Sequence, residues 1–77
     1  MTITVRFFAS LRESTGRREI AVDDARVETA GDAWRLATGG RPIPDNVLVA
    51  VNLEYTHLGA PVCAGDEVAF FPPVTGG

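Results

Sequence analysis

Apolar and polar residues alternate along the first and last regular segments of the 77-residue chain, which is the period of a strand that buries one face. A shorter alternating run follows the first segment. A continuous apolar run rich in valine lies in the second half and is typical of a strand buried on both sides. The pattern predicts strands over Thr2–Ala9, Arg18–Val22, Val47–Val51, a short stretch around Tyr55 within Asn52–Leu58, and Glu67–Phe71.

Two segments carry the signals of helix ends. Ser10, with Glu13 three residues later, has the form of a capping box, and Gly16 can end that short helix in a left-handed turn. The main helix is predicted over Val27–Thr38, where Thr29 can cap the first turn. Its alanines and its tryptophan fall on one face, and two glycines and two prolines then stop it.

The predicted order is strand, strand, helix, strand, short strand, strand. One main helix packed across one face of a small mixed sheet buries the apolar residues of such a pattern. This is an α+β fold, the ubiquitin-like β-grasp. The strand residues predicted to face the helix and its Trp34 are Ile3, Val5, Phe7, Val68 and Phe70. Phe8 and Phe71 have the opposite phase and are predicted to lie on the other face.

The end of the chain is rich in proline and glycine. After a domain predicted over residues 1–71, residues 72–77 read Pro72-Pro73-Val74-Thr75-Gly76-Gly77. The prolines end strand pairing and keep the chain extended, and six residues reach roughly 20 Å. The glycines leave no side chain beside the terminal carboxylate. We interpret the segment as a tail that presents the Gly77 carboxylate to a distant catalyst, rather than as a frayed terminus.

Composition narrows the function classes. The net charge is −3 and the pI about 4.9, which opposes binding to a phosphate backbone and argues against a nucleic-acid partner. No apolar run approaches the roughly 20 residues of a membrane span, and the N-terminus lacks a signal-peptide pattern. The single cysteine, Cys63, excludes an internal disulfide. We therefore expect a cytoplasmic protein.

Few side chains are candidates for chemistry. Phe8, Tyr55 and Phe71 can form an exposed apolar patch near the root of the tail, which is typical of a protein interface. Cys63 lies in a predicted loop without a cationic neighbour in sequence and is interpreted as structural. A single histidine, His57, cannot form a metal site without other ligands, so no metal is expected.

The segments named above resemble a known family. Phe70-Phe71 followed by the tail residues is similar to the end of the small subunit of molybdopterin synthase, a MoaD-type sulfur carrier. The match continues in Arg6-Phe7-Phe8-Ala9 and Leu11-Arg12-Glu13, in Val49-Ala50-Val51-Asn52, and in Gly65-Asp66-Glu67-Val68-Ala69. It covers the whole chain in order and departs most between Ala25 and Asn46, where the predicted helix is short and contains Gly31.

The resemblance implies a function at the terminus. A ubiquitin-activating-type adenylyltransferase uses ATP to adenylate the Gly77 carboxylate, and a persulfide donor converts it to a thiocarboxylate. The tail then enters the large subunit of molybdopterin synthase, in a complex of two copies of each chain, and donates sulfur to a cyclic pyranopterin precursor in molybdenum cofactor biosynthesis. The implied partner contacts are Phe8, Tyr55, Phe71, Pro72, Pro73, Val74 and Thr75, with Gly76 needed for insertion. The chain itself is a non-catalytic, sulfur-donating subunit that binds no cofactor.

Three alternatives stay open from the sequence. Sulfur carriers for thiamin, cysteine or tRNA thiolation also end in Gly-Gly. A ubiquitin-like modifier would join Gly77 to lysines of target proteins. A plain interaction module would carry the tail incidentally. The chain contains no lysine, so an activated terminus finds no side-chain amine on a sister copy.

Overall fold

A computed structural model describes residues 1–73 of the chain. Within them, two helices and five strands follow one another along the sequence. The elements are β1 (Thr2–Phe7), α1 (Ala9–Thr15), β2 (Glu19–Asp23), α2 (Ala30–Thr38), β3 (Leu48–Val51), β4 (Glu54–Thr56) and β5 (Glu67–Phe71), and a short 3-10 turn (Asp24–Arg26) joins β2 to the segment before α2.

The strands form one mixed sheet in the order β2-β1-β5-β3-β4. The central pair, β1 and β5, is parallel, and the other neighbouring pairs are antiparallel. The first and last strands of the chain therefore lie side by side and end at the same edge of the sheet. This confirms the predicted ubiquitin-like β-grasp and places the start of the tail at that edge.

The core lies between the sheet and α2. The strand residues predicted to face the helix are all buried, as is Trp34. The Trp34 ring meets Phe7 and Phe70 edge-on at centroid distances of 5.5 and 5.1 Å, a favourable geometry for aromatic pairs. Its indole N–H donates to the Arg41 carbonyl at 2.8 Å, which satisfies its buried polar atom.

The beginning of α1 differs from the prediction. Phe8 occupies the N-cap position without a side-chain hydrogen bond, so the capping box predicted from Ser10 and Glu13 is wrong. Ala9 already begins the helix with a φ of 51°, and this left-handed conformation ends β1 two residues earlier than predicted. The predicted end is confirmed, because Gly16 has a φ of 72° and closes the helix.

The main helix keeps its predicted cap but is shorter. It begins at Ala30 rather than Val27, because Thr29 accepts a hydrogen bond from the Asp32 amide and Asp32 bonds back to the Thr29 amide. Gly31, in the first turn, donates its N–H to the Leu58 carbonyl at 2.9 Å. A Cβ at this position would lie 3.4 Å from that oxygen, an ordinary van der Waals contact, so the loop packs closely against the first turn of the helix.

The valine-rich strand is buried on both faces at its centre, where Val49 and Ala50 are 2% and 5% exposed, and is half-buried at its ends. Val49 points into the core at 2% exposure, and Leu48 on the other face is half-buried. The prediction of burial on both sides is thus confirmed for the centre of the strand and wrong for Leu48, which is left half-buried on the face away from α2. We call this side of the sheet, away from α2, the outer face. A large apolar side chain left partly uncovered on a sheet face, as Leu48 is, is typical of a surface that binds another molecule.

Candidate functional site

The tail begins beside a stacked aromatic pair. Phe8 follows β1 and Phe71 ends β5, and the parallel register that opposes Phe7 to Phe70 brings them together. Their ring centroids are 4.6 Å apart with an interplanar angle of 10°. The Phe8 amide donates to the Phe70 carbonyl at 3.1 Å, which fixes the backbone under the pair. Both rings lie on the outer face and are half-buried, as their phase in the sequence predicted.

Tyr55 joins the pair from the edge of the sheet. It lies on β4 opposite Ala50, which is opposite Ala69 on β5, so these positions share the outer face with Phe71. The Tyr55 ring centroid is 6.0 Å from that of Phe71, and 73% of the residue is exposed. The structure thus brings together the three aromatic residues predicted to form a patch.

Leu48 is a member of this surface that the sequence analysis did not identify. It is paired directly with Phe71 across the antiparallel β3–β5 ladder, where side chains on one face lie next to each other. Because Leu48 stands in a continuous apolar run, the sequence pattern does not show which face of the sheet its side chain is on. The register with Phe71 shows that it is on the outer face. We define the outer patch as Phe8, Leu48, Tyr55 and Phe71.

A charged residue borders the outer patch. The guanidinium carbon of Arg6 lies 5.4 Å from the centre of the Phe8 ring, within the range of a cation–π interaction. Its Nη1 donates to Glu67 at 3.0 Å, and its Nε is 3.5 Å from a Glu19 oxygen. Because three strands contribute these groups, the arginine is held in one orientation beside the aromatic pair. Sequence reasoning did not select it, since its partners come from distant segments.

The tail itself is described only at its root. Pro72 is half-buried and Pro73 is exposed, and both follow the last residue of β5. The other predicted site residues, Val74, Thr75, Gly76 and Gly77, lie outside the described residues. The division between a domain ending at residue 71 and a tail over 72–77 therefore stays a prediction, although β5 does end at Phe71.

Cys63 lies away from the outer patch in the fold. Cys63 precedes the turn that leads into the start of β5, whereas Phe71 lies at its end. It is exposed, and its interpretation as a structural cysteine stays a prediction. His57 is exposed and directly follows β4, two residues after Tyr55. Residues 1–73 contain no group of three or more histidine, cysteine or acidic side chains placed to hold a metal.

The Cys63 backbone takes part in a local hydrogen-bond network. The Asp66 carboxylate accepts one bond from the Asn52 side chain at 2.9 Å and another from the Cys63 amide at 2.8 Å. Both favour the ionised form, so they hold the pKa of Asp66 below its ordinary value. The network ties the β3–β4 turn to the turn before β5 and stabilises the sheet at the end away from the tail.

Comparison with known proteins assigns the family. The model of the ThiS family matches residues 5–77, which includes the sheet, both helices and the tail. The chain belongs to the ThiS family. The matched range of this chain contains the four residues of the outer patch and the two C-terminal glycines. No helix in the described part of the chain is long and apolar enough to cross a membrane.

Three relatives show how far the similarity extends. The molybdopterin synthase sulfur carrier subunit of Escherichia coli is 42% identical, over 97% of this chain and 99% of that protein. Small archaeal modifier protein 1 of Haloferax volcanii is 37% identical over 94% of this chain and 97% of its own length. Its crystal structure has a TM-score of 0.81, with each chain covered completely. A chain from the protein–protein complex of subunits 1 and 2 of the molybdopterin-converting factor from Helicobacter pylori shares the fold, with a TM-score of 0.64, 20% identity and both chains covered completely.

Proposed function

We propose that this chain is a sulfur carrier, the small subunit of a molybdopterin synthase. The observation that carries the proposal is the outer patch at the root of a Gly-Gly tail. Four large apolar or aromatic side chains lie together on one face of the sheet, and the folding of a monomer does not require them to be exposed there. Near-complete alignment with the 42% identical carrier subunit of Escherichia coli supports the choice of pathway.

The proposed chemistry takes place at the Gly77 carboxylate. A carboxylate is a poor electrophile until a good leaving group is attached, so ATP bound by an activating enzyme first converts it to an acyl-adenylate. A persulfide sulfur then attacks the acyl carbon and AMP leaves, which gives an acyl disulfide. A thiol of the partner proteins attacks the donor's sulfur in that disulfide, so the thiocarboxylate is released and the donor is left in a disulfide with that thiol. The thiocarboxylate sulfur is a nucleophile that needs no neighbouring base. The chain supplies the reacting terminus and its partners supply catalysis, so we propose no cofactor for this chain itself.

The proposed main partner is the large subunit of the synthase. The Helicobacter pylori relative is described as a protein–protein complex of subunits 1 and 2 of the molybdopterin-converting factor. The outer patch suits such a contact, because aromatic residues are enriched and charges depleted at the centre of protein interfaces. We propose that the patch and the tail root contact the large subunit, in a cytoplasmic complex with two copies of each chain. The activating adenylyltransferase and a persulfide donor complete the set of partners.

Attachment to other proteins is the second candidate function. The similarity to small archaeal modifier protein 1, at 37% sequence identity and a TM-score of 0.81, favours it specifically. The same activated Gly77 acyl group would then be attacked by a lysine amine of a target rather than by a persulfide. This chain contains no lysine, so chains of the modifier linked through its own side chains cannot form.

Intact mass spectrometry tests the first proposal. The purified chain is incubated with ATP, a sulfur donor and the activating enzyme encoded in the same genome. We expect the mass to increase by the difference between one sulfur and one oxygen atom, and the charged carrier to support synthase turnover with the large subunit. Isopeptide conjugates in cell extract without sulfur loading would instead favour the modifier function. Neither product, with a folded protein, would leave a plain interaction module as the better account.

A further inference from the structure

A second surface lies on the helix side of the sheet, opposite the outer patch. It is a cleft of about 270 Å³ between the α1–β2 connection and the C-terminal end of α2. Its apolar lining is contributed by Ile20, Leu36 and Ala37, and the first two of these are only half-buried. The volume falls just below the range of about 300–1,000 Å³ of pockets that enclose drug-sized ligands, so the cleft fits a single side chain of a larger partner.

Two arginines line the same cleft. Within residues 1–73, neither Arg17 nor Arg41 lies within salt-bridge distance of a carboxylate, and the residues that line the cleft include no acidic side chain. Arg41 is held in place because its guanidinium donates to the Ser14 carbonyl and its amide to Thr38. In a chain of net charge −3, this is a local positive site beside an apolar floor.

The cleft adjoins a free strand edge. β2 is the outermost strand on its side of the sheet. Its ladder with β1 uses the backbone of alternate residues, as the bonds from the Phe7 amide to the Arg18 carbonyl and from the Asp24 amide to the Met1 carbonyl show. The backbone groups of the residues between, Glu19 and Ala21, consequently point away from the sheet. An exposed edge of this kind can pair with an extended peptide.

We propose that this cleft and the β2 edge bind an extended acidic peptide segment of another protein. The segment would add a strand beside β2, insert one apolar side chain over Ile20 and Leu36, and place its carboxylates near Arg17 and Arg41. A free anion would use the arginines alone and would leave the apolar floor and the strand edge without a role. Because the outer patch lies on the opposite face, such a partner can bind while the tail is engaged elsewhere. The site is independent of the chemistry at Gly77.

Nuclear magnetic resonance titration of the full-length chain tests the proposal. The probe is a synthetic peptide with three consecutive β-branched residues followed by three glutamates, and a matched peptide carries lysines in place of the glutamates. We expect the acidic peptide to shift the amide resonances of Glu19 and Ala21 and the methyl resonances of Ile20 and Leu36, and the lysine peptide to cause no such shifts. Binding should weaken as salt is added, because exposed charges are screened.

Variants make the test specific. Arg17→Glu should weaken the peptide at least about tenfold, whereas Arg26→Glu, the same charge change in the 3-10 turn after β2, should change affinity by less than about twofold. Ala21→Pro removes an outward amide without removing a ladder bond and should also weaken binding, with circular dichroism confirming the fold. Three results would each overturn the proposal: no shifts at the cleft, equal binding of the lysine peptide, or equal shifts with inorganic phosphate alone. Concentration-dependent dimerisation through the β2 edge that excludes the peptide would overturn it as well.

Discussion

The rings of Phe8 and Phe71 stack nearly parallel, with centroids 4.6 Å apart. One residue follows the first strand and the other ends the last strand. Their contact exists because β1 and β5 are parallel neighbours at the centre of the sheet. Since Pro72 directly follows Phe71, the root of the tail lies next to the stacked pair. A contact made on these rings would therefore lie beside the root of the tail.

Replacing Phe71 with arginine tests this role. Phe71→Arg should weaken binding to the large synthase subunit roughly 30-fold or more, because hot-spot residues contribute about 2 kcal/mol or more and this change places an unpaired charge in a desolvated contact. Isothermal titration calorimetry measures the affinity. Ala25→Arg, at an exposed position in the 3-10 turn, is the matched control and should bind like the parent chain. Unchanged affinity of the folded Phe71 variant would remove the outer patch from the interface.

Shortening the tail by one residue should abolish sulfur transfer. Deletion of Gly77 removes the carboxylate position that partner sites must enclose, and Gly76→Val adds a side chain where glycine lets the backbone approach closely. The deletion should leave no detectable molybdopterin formation, and Gly76→Val should bind partners but load sulfur poorly. Both should stay folded, because the core residues precede Phe71. Reconstituted synthase turnover is the assay.

Cys63→Ser is the companion control for that experiment. Cys63 is exposed and lies before β5, at the end of the strand away from the tail, so its thiol should not carry the transferred sulfur. Normal thiocarboxylate formation in this variant is expected. Loss of loading in the folded serine variant, or normal turnover of the chain lacking Gly77, would show that the reactive group has been misplaced.

The β3–β4 turn offers a stability test. Asn52 and Leu53 both have positive φ, 51° and 71°, in the two-residue loop that favours Asn-Gly. Leu53 is 87% exposed, so its side chain contributes little packing. Leu53→Gly should raise the free energy of unfolding by about 0.5–1 kcal/mol, the cost of a left-handed residue less the extra chain entropy of glycine.

Urea denaturation measures that change, with Glu54→Gly as the control. Glu54 is exposed in β4 and has no positive φ, so glycine there should lower stability by about the same amount. If Leu53→Gly is also destabilising, the turn does not hold the left-handed conformation described here.

Acid should weaken the fold through Asp66 and Asp32. Hydrogen bonds from Asn52 and the Cys63 amide lower the pKa of Asp66, and the Glu28 amide, with Thr29 and Arg35, lowers the pKa of Asp32. A carboxyl with a lowered folded pKa stabilises the native state above its unfolded value, near the ordinary 3.8. This stabilisation is lost as pH falls from there through the folded pKa.

Thermal melts of the parent chain and of Asp66→Asn across this pH range give the measurement. The variant should be less stable at neutral pH, yet it should lose less stability on acidification because the amide does not titrate. Parallel pH profiles for the two proteins would show that Asp66 does not contribute to the acid response.

Sequence patterns predicted the faces of the strands and the cap of the main helix, because both depend on interactions between residues that are close in sequence. The alternation of side chains along the strands placed Phe7 and Phe70, which are buried, on one face of the sheet and Phe8 and Phe71 on the other. Successive side chains in a strand point to opposite faces. The Thr29–Asp32 cap could be read from spacing alone, because both hydrogen bonds close within one turn. Where a local signal competed with another conformation, as at Ser10, the prediction of the cap was wrong.

The tertiary structure decided which distant residues share a surface. Leu48 belongs to the outer patch because β3 pairs with β5 in a register that opposes it to Phe71. Arg6 is held by Glu19 and Glu67 on two neighbouring strands, and the cleft beside Ile20 forms only where α2 ends next to β2. Strand order and register depend on contacts between segments far apart in sequence, and a shift of one residue would reverse every side chain. The sequence therefore determined the faces of the strands and the composition of the tail, while long-range pairing determined the neighbours that turn those faces into binding surfaces.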